Sequence, residues 1–315
     1  MIQYFKKENG KLQQLEALQP SCWINIAPPF TQEELEHLTQ ELDIPLDFLT
    51  DSLDIDERSR YEREDGVKLI VINAPIINSA ESTNSSMFIT VPIGIILTGD
   101  IIITISSFEN PVLQRFLDDK IKNFDPGNTN EFVLQIFEQS VYRFLICLKD
   151  LNIKRNLIEQ ELYNSGNNKE LKELLGIEKS LIYFLTSLSA NELLMMKIKR
   201  TDFLGIRGDE ELVDLLDDVI IDNSQANEMA NTYSTILSGT MNAFASIISN
   251  NLNEVMQRLT LITIILMLPT LVASFYGMNV DLPFKESNAA FYGILIFSVF
   301  VSLLLAWFFR RKRWF

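Results

Sequence analysis

The pattern of apolar and polar positions changes character twice along the chain. Over residues 1 to about 107, short β-branched runs alternate with turn residues. Met1–Tyr4, Leu12–Leu18, Cys22–Ile26, Val67–Ile72, Met87–Ile96 and Ile101–Ile105 predict strands, with Glu8-Asn9-Gly10 and Thr98-Gly99-Asp100 as turns. Thr31 followed by Glu34 predicts a helix opened by a capping box. From Asn110 the period becomes helical: roughly Asn130–Tyr163, Lys169–Arg200 and a helix beginning near Asp209, punctuated by Gly166, Gly205 and Gly208. Between Glu210 and Gly277 only Pro269 interrupts the helical pattern. A continuous helix there would run about 100 Å at ~1.5 Å per residue. Such a helix needs neighbours, and a symmetric bundle of identical stalks would supply them.

The last part is apolar throughout. Leu259 to Tyr276 is 18 residues without a charge, about 27 Å of helix, close to the thickness of a bilayer's hydrocarbon core. Ala289 to Phe309 is 21 more, followed by Arg310-Arg311-Lys312-Arg313. That basic tail places the C-terminus in the cytoplasm by the positive-inside rule, and two spans return the N-terminal part to the same side. The opening residues, Met1 to Glu8, are broken by charge within six positions, so insertion is expected to depend on the C-terminal helices. The expected architecture is an α+β cytosolic domain with a mixed sheet and flanking helices (1–128), then a helical region including a long stalk (129–258). A first transmembrane helix (259–277), an outer loop (278–288), a second transmembrane helix (289–309) and the basic tail (310–315) complete it. The apolar pair Met87–Ile96 and Ile101–Ile105 would mimic a span, but Asp100 and the β-branched content assign it to a buried sheet.

Within the first span the polar and sulfur-bearing residues are ordered. Asn253, Met256, Thr260, Thr263, Met267, Thr270 and Ser274 step by three and four, so they share one helix face. Such a stripe either glues neighbouring membrane helices together or faces water in a pore.

Charge and composition narrow the choice of function. The net charge is −15, and residues 251–315 carry six Lys/Arg against three Asp/Glu, leaving −18 on residues 1–250. An acidic soluble part repels nucleic acid and attracts cations. Only Cys22 and Cys147 occur, too far apart in sequence for a zinc ribbon or a disulfide framework. The single histidine, His37, sits among Glu34, Glu36 and Glu41 on an amphipathic helix, which reads as a solvated face. There is no glycine-rich phosphate loop and no assembled nucleophile, so no enzyme is indicated. Transport would run down an electrochemical gradient, which for a divalent cation is worth about 4.6 kcal/mol per 100 mV. Neither span holds Asp, Glu or His. A bare divalent ion would find no charged ligand at membrane depth, whereas amide oxygens can accept hydrogen bonds from the waters of an intact hydrate.

Tyr276-Gly277-Met278-Asn279, just after the first of two C-terminal spans, resembles the CorA family of magnesium transporters. Asn253-Glu-Val-Met256 with Leu259-Thr260 is similar to the inner end of that family's pore helix. Trp23-Ile-Asn25, the Asp51 to Arg60 segment and the long helix before the membrane extend the resemblance over most of the chain. It implies a homopentamer in the lipid bilayer, with Gly277, Met278 and Asn279 as selectivity filter. It also implies a pore lined and gated by Asn253, Met256, Leu259, Thr260, Thr263, Met267 and Thr270. Asp218, 35 positions before Asn253, matches the family's regulatory magnesium-binding aspartate, with Asp217 and Asp222 beside it and Glu81 of the sheet domain as candidate partner. Mg²⁺ is then both cargo and regulator, with Co²⁺ and Ni²⁺ as further cargo. Two departures stand out: Pro269 lies one position later than in the family's Met-Pro pair, and the outer loop lacks Met-Pro-Glu-Leu. The alternatives are the family's zinc-transporting branch and a membrane-tethered interaction module without transport.

Overall fold

The computed structural model describes residues 1–8, 10–79, 85–165, 168–278 and 288–312. The chain forms two compact units, Met1–Ser238 and Gly239–Phe315. In the first, β1 (Ile2–Glu8), β2 (Lys11–Leu15) and β3 (Trp23–Ile26) precede two helices, α1 (Gln32–Leu42) and α2 (Leu46–Asp51). Strands β4 (Arg60–Glu64), β5 (Val67–Ile77), β6 (Phe88–Thr98) and β7 (Ile101–Ile105) follow. Next come α3 (Pro111–Leu117), α4 (Thr129–Ser165), α5 (Asn168–Thr201) and α6 (Glu210–Tyr276), and the last helix is α7 (Asn288–Arg311). The strands make one mixed sheet in the order β2-β1-β3-β7-β6-β5-β4. β3 and β7 run parallel, and every other neighbouring pair is antiparallel.

The near-continuous apolar runs of β5 and β6 follow from cover on both faces. Val67, Leu69 and Val71 point into a core closed by Leu35 and Leu38 of α1 and Phe48 and Leu49 of α2. Ile70, Ile72, Ile93 and Ile95 point the other way, against Phe132 and Phe137 of α4, Leu194 of α5 and Leu216 of α6. The expected boundary at residue 128 is therefore not a break in packing: α4, α5 and the start of α6 share a core with the sheet. The close approach of α2 requires Gly94, since a Cβ there would lie 2.1 Å from Ser52 Oγ.

The Trp23-Ile-Asn25 run has a physical role. Trp23 is fully buried, edge-on to Phe116, Phe124 and Phe132. Its Nε1 donates to Thr104 Oγ1 at 2.8 Å, and that hydroxyl donates to Asn25 Oδ1 at 3.0 Å, so the polar atoms taken into the core are paired. Arg60 explains the other segment: its guanidinium meets Asp51 at 2.8 Å and Glu57 at 2.7 Å, and also Glu62, tying α2 to β4.

The capping box forms as expected, with Glu34 N donating to Thr31 Oγ1 and Thr31 N to Glu34 Oε2. The strand expected over Leu12–Leu18 stops at Leu15, and β4, whose Arg-Tyr-Glu-Arg-Glu is polar, pairs as the sheet's edge, where charge is tolerated. Both cysteines are buried, and burial pushes the Cys147 thiol up to about 11, which keeps it an inert packing group.

By length and composition three helical stretches could cross a membrane. In the stretch Lys169–Thr201 of α5, 44% of the most apolar window is buried, against 6% in α6 and α7. The α5 stretch is thus a core helix. The α6 and α7 stretches have no such cover, and they are the membrane helices.

Candidate ion pathway and cation sensor

In the second unit, the face of α6 that is covered carries buried Leu261 and half-buried Ile265, Leu268, Pro269, Val272 and Tyr276. Contact with α7 on this side is fixed by Ser302, whose Oγ donates to Ile265 O at 3.4 Å and to Ser298 O at 2.9 Å. The first of these has a specific cause. Pro269 has no N–H, so the carbonyl four residues earlier, Ile265 O, loses its helical donor. Ser302 supplies one where water is absent. The sequence marks Pro269 but not Ser302, although a carbonyl freed at position 265 signals the need for a donor on the facing helix.

At ~100° per residue, Asn253, Met256, Thr260, Thr263, Met267, Thr270 and Ser274 lie roughly opposite that covered face. All seven are exposed in the chain, with Met256 at 55% and Met267 at 63%. Leu259 flanks them and is likewise exposed. The hydroxyls are pre-oriented: Thr260 donates to Met256 O at 2.8 Å, Thr263 to Leu259 O at 2.8 Å and Thr270 to Leu266 O at 3.0 Å. With each proton committed to its own helix, the oxygen lone pairs are what the stripe offers outward. Those acceptors can take hydrogen bonds from water, and exposed methionine and leucine lie between them on the same side of the helix.

At the far end of the span, α6 stops at Tyr276 and Gly277 N donates to Ala273 O at 3.0 Å. Met278 follows and is exposed, whereas Asn279 lies outside the described residues. Arg310 and Arg311 occupy the last turn of α7, where cations complement the helix dipole, and Arg311 stacks over Trp307 at 5.4 Å. Lys312 N donates to Phe308 O, and Arg313 lies outside the described residues.

The expected sensor residues are only partly brought together. Asp218 and Asp222 are exposed one turn apart on α6, so their carboxylates share a face. Asp217 is turned to a different edge and forms an ion pair with Lys199 of α5. Glu81 lies outside the described residues, and among the described residues no three His, Cys, Asp or Glu side chains gather as a metal site. Two carboxylates suit Mg²⁺, which commonly binds through one or two of them and keeps its remaining waters. The same face would accept further donors from a second chain.

Three comparisons bear on the architecture. The chain is 27% identical over 301 residues to the cobalt/magnesium transport protein CorA of Methanocaldococcus jannaschii, covering 93% of this chain and 90% of that one. The complete structure of the CorA magnesium transporter from the same organism matches with a TM-score of 0.85 at 23% identity, over 100% of this chain and 99% of that chain. The ZntB cytoplasmic domain from Vibrio parahaemolyticus matches with a TM-score of 0.59 at 13% identity, over 80% of this chain and 98% of that chain. At these identities the two structures speak for the fold alone. A family model described as CorA-like Mg²⁺ transporter protein matches residues 19–311, and the chain belongs to that family.

Proposed function

We propose that this chain carries Mg²⁺ passively down its electrochemical gradient, as a homopentamer in the cytoplasmic membrane with both termini in the cytoplasm. The single observation that carries the reading is the uncovered Thr/Met stripe of α6, opposite the face held by α7 and Ser302. Five such stripes around an axis would make a pore whose walls offer hydroxyl acceptors and no charge. That chemistry suits a cation passing with its water attached. Gly277, Met278 and Asn279 form the outer filter, where a ring of Asn279 amides accepts hydrogen bonds from the hydrate. Met256, Leu259 and Met267 are the constriction, which closes by dewetting.

The relative from Methanocaldococcus jannaschii is a cobalt/magnesium transport protein, which supports Mg²⁺ with Co²⁺ as cargo, and Ni²⁺ is a further candidate of similar size and charge. Asp218 and Asp222, with Asp217 and Glu81 as candidate partners, read cytosolic Mg²⁺. When Mg²⁺ is bound it holds the acidic domains together and the pore closed, so the population of open pores is set by its differential affinity for the two states.

The test is cation flux into proteoliposomes under an imposed inside-negative potential, with and without a proton gradient. Mg²⁺ entry that follows the potential and ignores the proton gradient is expected. Zn²⁺ entry that requires the proton gradient, without Mg²⁺ entry, would assign the chain to zinc transport. No flux of either ion would leave a tethered interaction module.

A further inference from the structure

We propose that the hollow between the end of α5 and the start of α6 binds a soluble organic phosphate, and that this binding is coupled to the cation sensor on α6. The hollow has a volume of about 430 Å³. Its floor is apolar, with Ile206 and Leu216 buried and Met196 and Val213 beside them. Its rim carries Lys199, Arg200 and Arg207.

One carboxylate also lines the hollow, against three cations. It makes no ion pair with them: Asp202 Oδ1 accepts from the backbone N–H of Ile206 at 2.9 Å and of Arg207 at 3.2 Å, which holds the turn. Across the same turn the Arg207 guanidinium is held against the Arg200 backbone, since Arg207 Nη2 donates to the Arg200 carbonyl at 3.3 Å. Among the described residues neither arginine has an ion-pair partner. This stands out in a region, residues 1–250, whose net charge is −18. Guanidinium groups without an ion-pair partner offer the planar N–H donors that suit phosphate oxygens. A monocarboxylate would leave the remaining cations uncompensated, and free phosphate would leave the apolar floor uncovered. A polyanion joined to a flat apolar body fits both.

The coupling runs through Lys199, which lines the hollow and pairs with Asp217. A phosphate at the rim competes for its ammonium and releases Asp217, next in sequence to Asp218. Mg²⁺ affinity at the sensor then rises, and by linkage Mg²⁺ tightens the phosphate site by the same factor. This second step rests on the sensor reading above, whereas the binding step does not.

Adenosine triphosphate serves as the probe, with pyrophosphate and adenosine as its two halves. Purified full-length protein is titrated by calorimetry in EDTA without divalent cations. The triphosphate is expected to bind, pyrophosphate to bind more weakly and adenosine not at all. Arg200→Gln with Arg207→Gln, both exposed positions, should weaken the triphosphate at least about tenfold, while Arg58→Gln, outside the hollow, leaves it unchanged. No heat from the triphosphate in the wild type, or equal affinity in the double variant, would overturn the site. The coupling is then read as protease protection at clamped free Mg²⁺. The triphosphate should lower the half-protecting Mg²⁺ concentration at least about fivefold in the wild type and not in the double variant. Triphosphate binding with no such displacement overturns the coupling alone, and Mg²⁺ that gives no protection without nucleotide overturns the sensor reading.

Discussion

Asn191 does the work of a missing strand, and removing its amide gives the prediction that follows most directly from geometry. On β5, Asn73 lies two residues past Val71, the last partner of β4, on the edge that β4 no longer covers. Its backbone would have no sheet partner there. Asn191 of α5, fully buried, supplies one: Oδ1 accepts from Asn73 N at 3.1 Å and from Ser59 Oγ at 2.6 Å, while Nδ2 donates to Asn73 O at 2.9 Å. Ser140 Oγ also donates to that carbonyl at 3.1 Å, so Asn191→Leu orphans the N–H rather than the carbonyl. An orphaned buried N–H costs about 1–3 kcal/mol, and each of the two remaining bonds contributes roughly 0.5–1.5 kcal/mol net. Apolar burial of Leu offsets part of this, which leaves a destabilisation of about 3 kcal/mol. The assay is denaturant unfolding of the full chain combined with amide hydrogen exchange. The midpoint should fall with an unchanged slope, and the Asn73 amide should exchange on the order of 100-fold faster, as about 3 kcal/mol implies. A midpoint displaced by less than about 0.5 kcal/mol, with Asn73 still protected, would refute the argument that this amide replaces a strand.

Four further outcomes test the pore and its control. Asn279→Ala should abolish Mg²⁺ flux while leaving the oligomer intact, and unchanged uptake by a correctly assembled variant would remove Asn279 from the filter. Met267→Ala should raise flux by widening the constriction; reduced flux in a folded protein would mean that the side chain packs between helices. Ser302→Ala leaves the Ile265 carbonyl without the donor that Pro269 denies it, and should cost about 0.6–2 kcal/mol in steric-trap or thermal unfolding of the membrane unit. Equal stability there would show that the 3.4 Å contact carries no energy. Asp218→Lys should mimic a bound cation and protect α6 from proteolysis even in chelator, whereas Asp218→Ala should lose Mg²⁺-dependent protection. Equal cleavage of wild type and both variants, with and without millimolar Mg²⁺, would exclude sensing through this position.

Periodicity alone was enough for whatever depends on neighbours along the chain. The capping box at Thr31, the length of α6, the two uncharged spans and the shared face of Asn253 through Ser274 all follow from local spacing, because a helix places residues three and four apart on one side wherever it sits. The polar edge strand β4 and the short helices α2 and α3 were not legible, since their stability comes from the sheet edge and the two cores rather than from their own sequences. The apolar positions of α5 are accounted for by burial against the sheet. Pairings between distant residues belong to the tertiary structure alone. Asn191 completing the backbone of Asn73, Ser302 answering the carbonyl freed by Pro269, and Lys199 drawing Asp217 away from Asp218 each join groups that no spacing rule connects. A hydrogen bond or ion pair is fixed by where the folded backbone carries its partners, and only the packed helices and sheet bring them within reach.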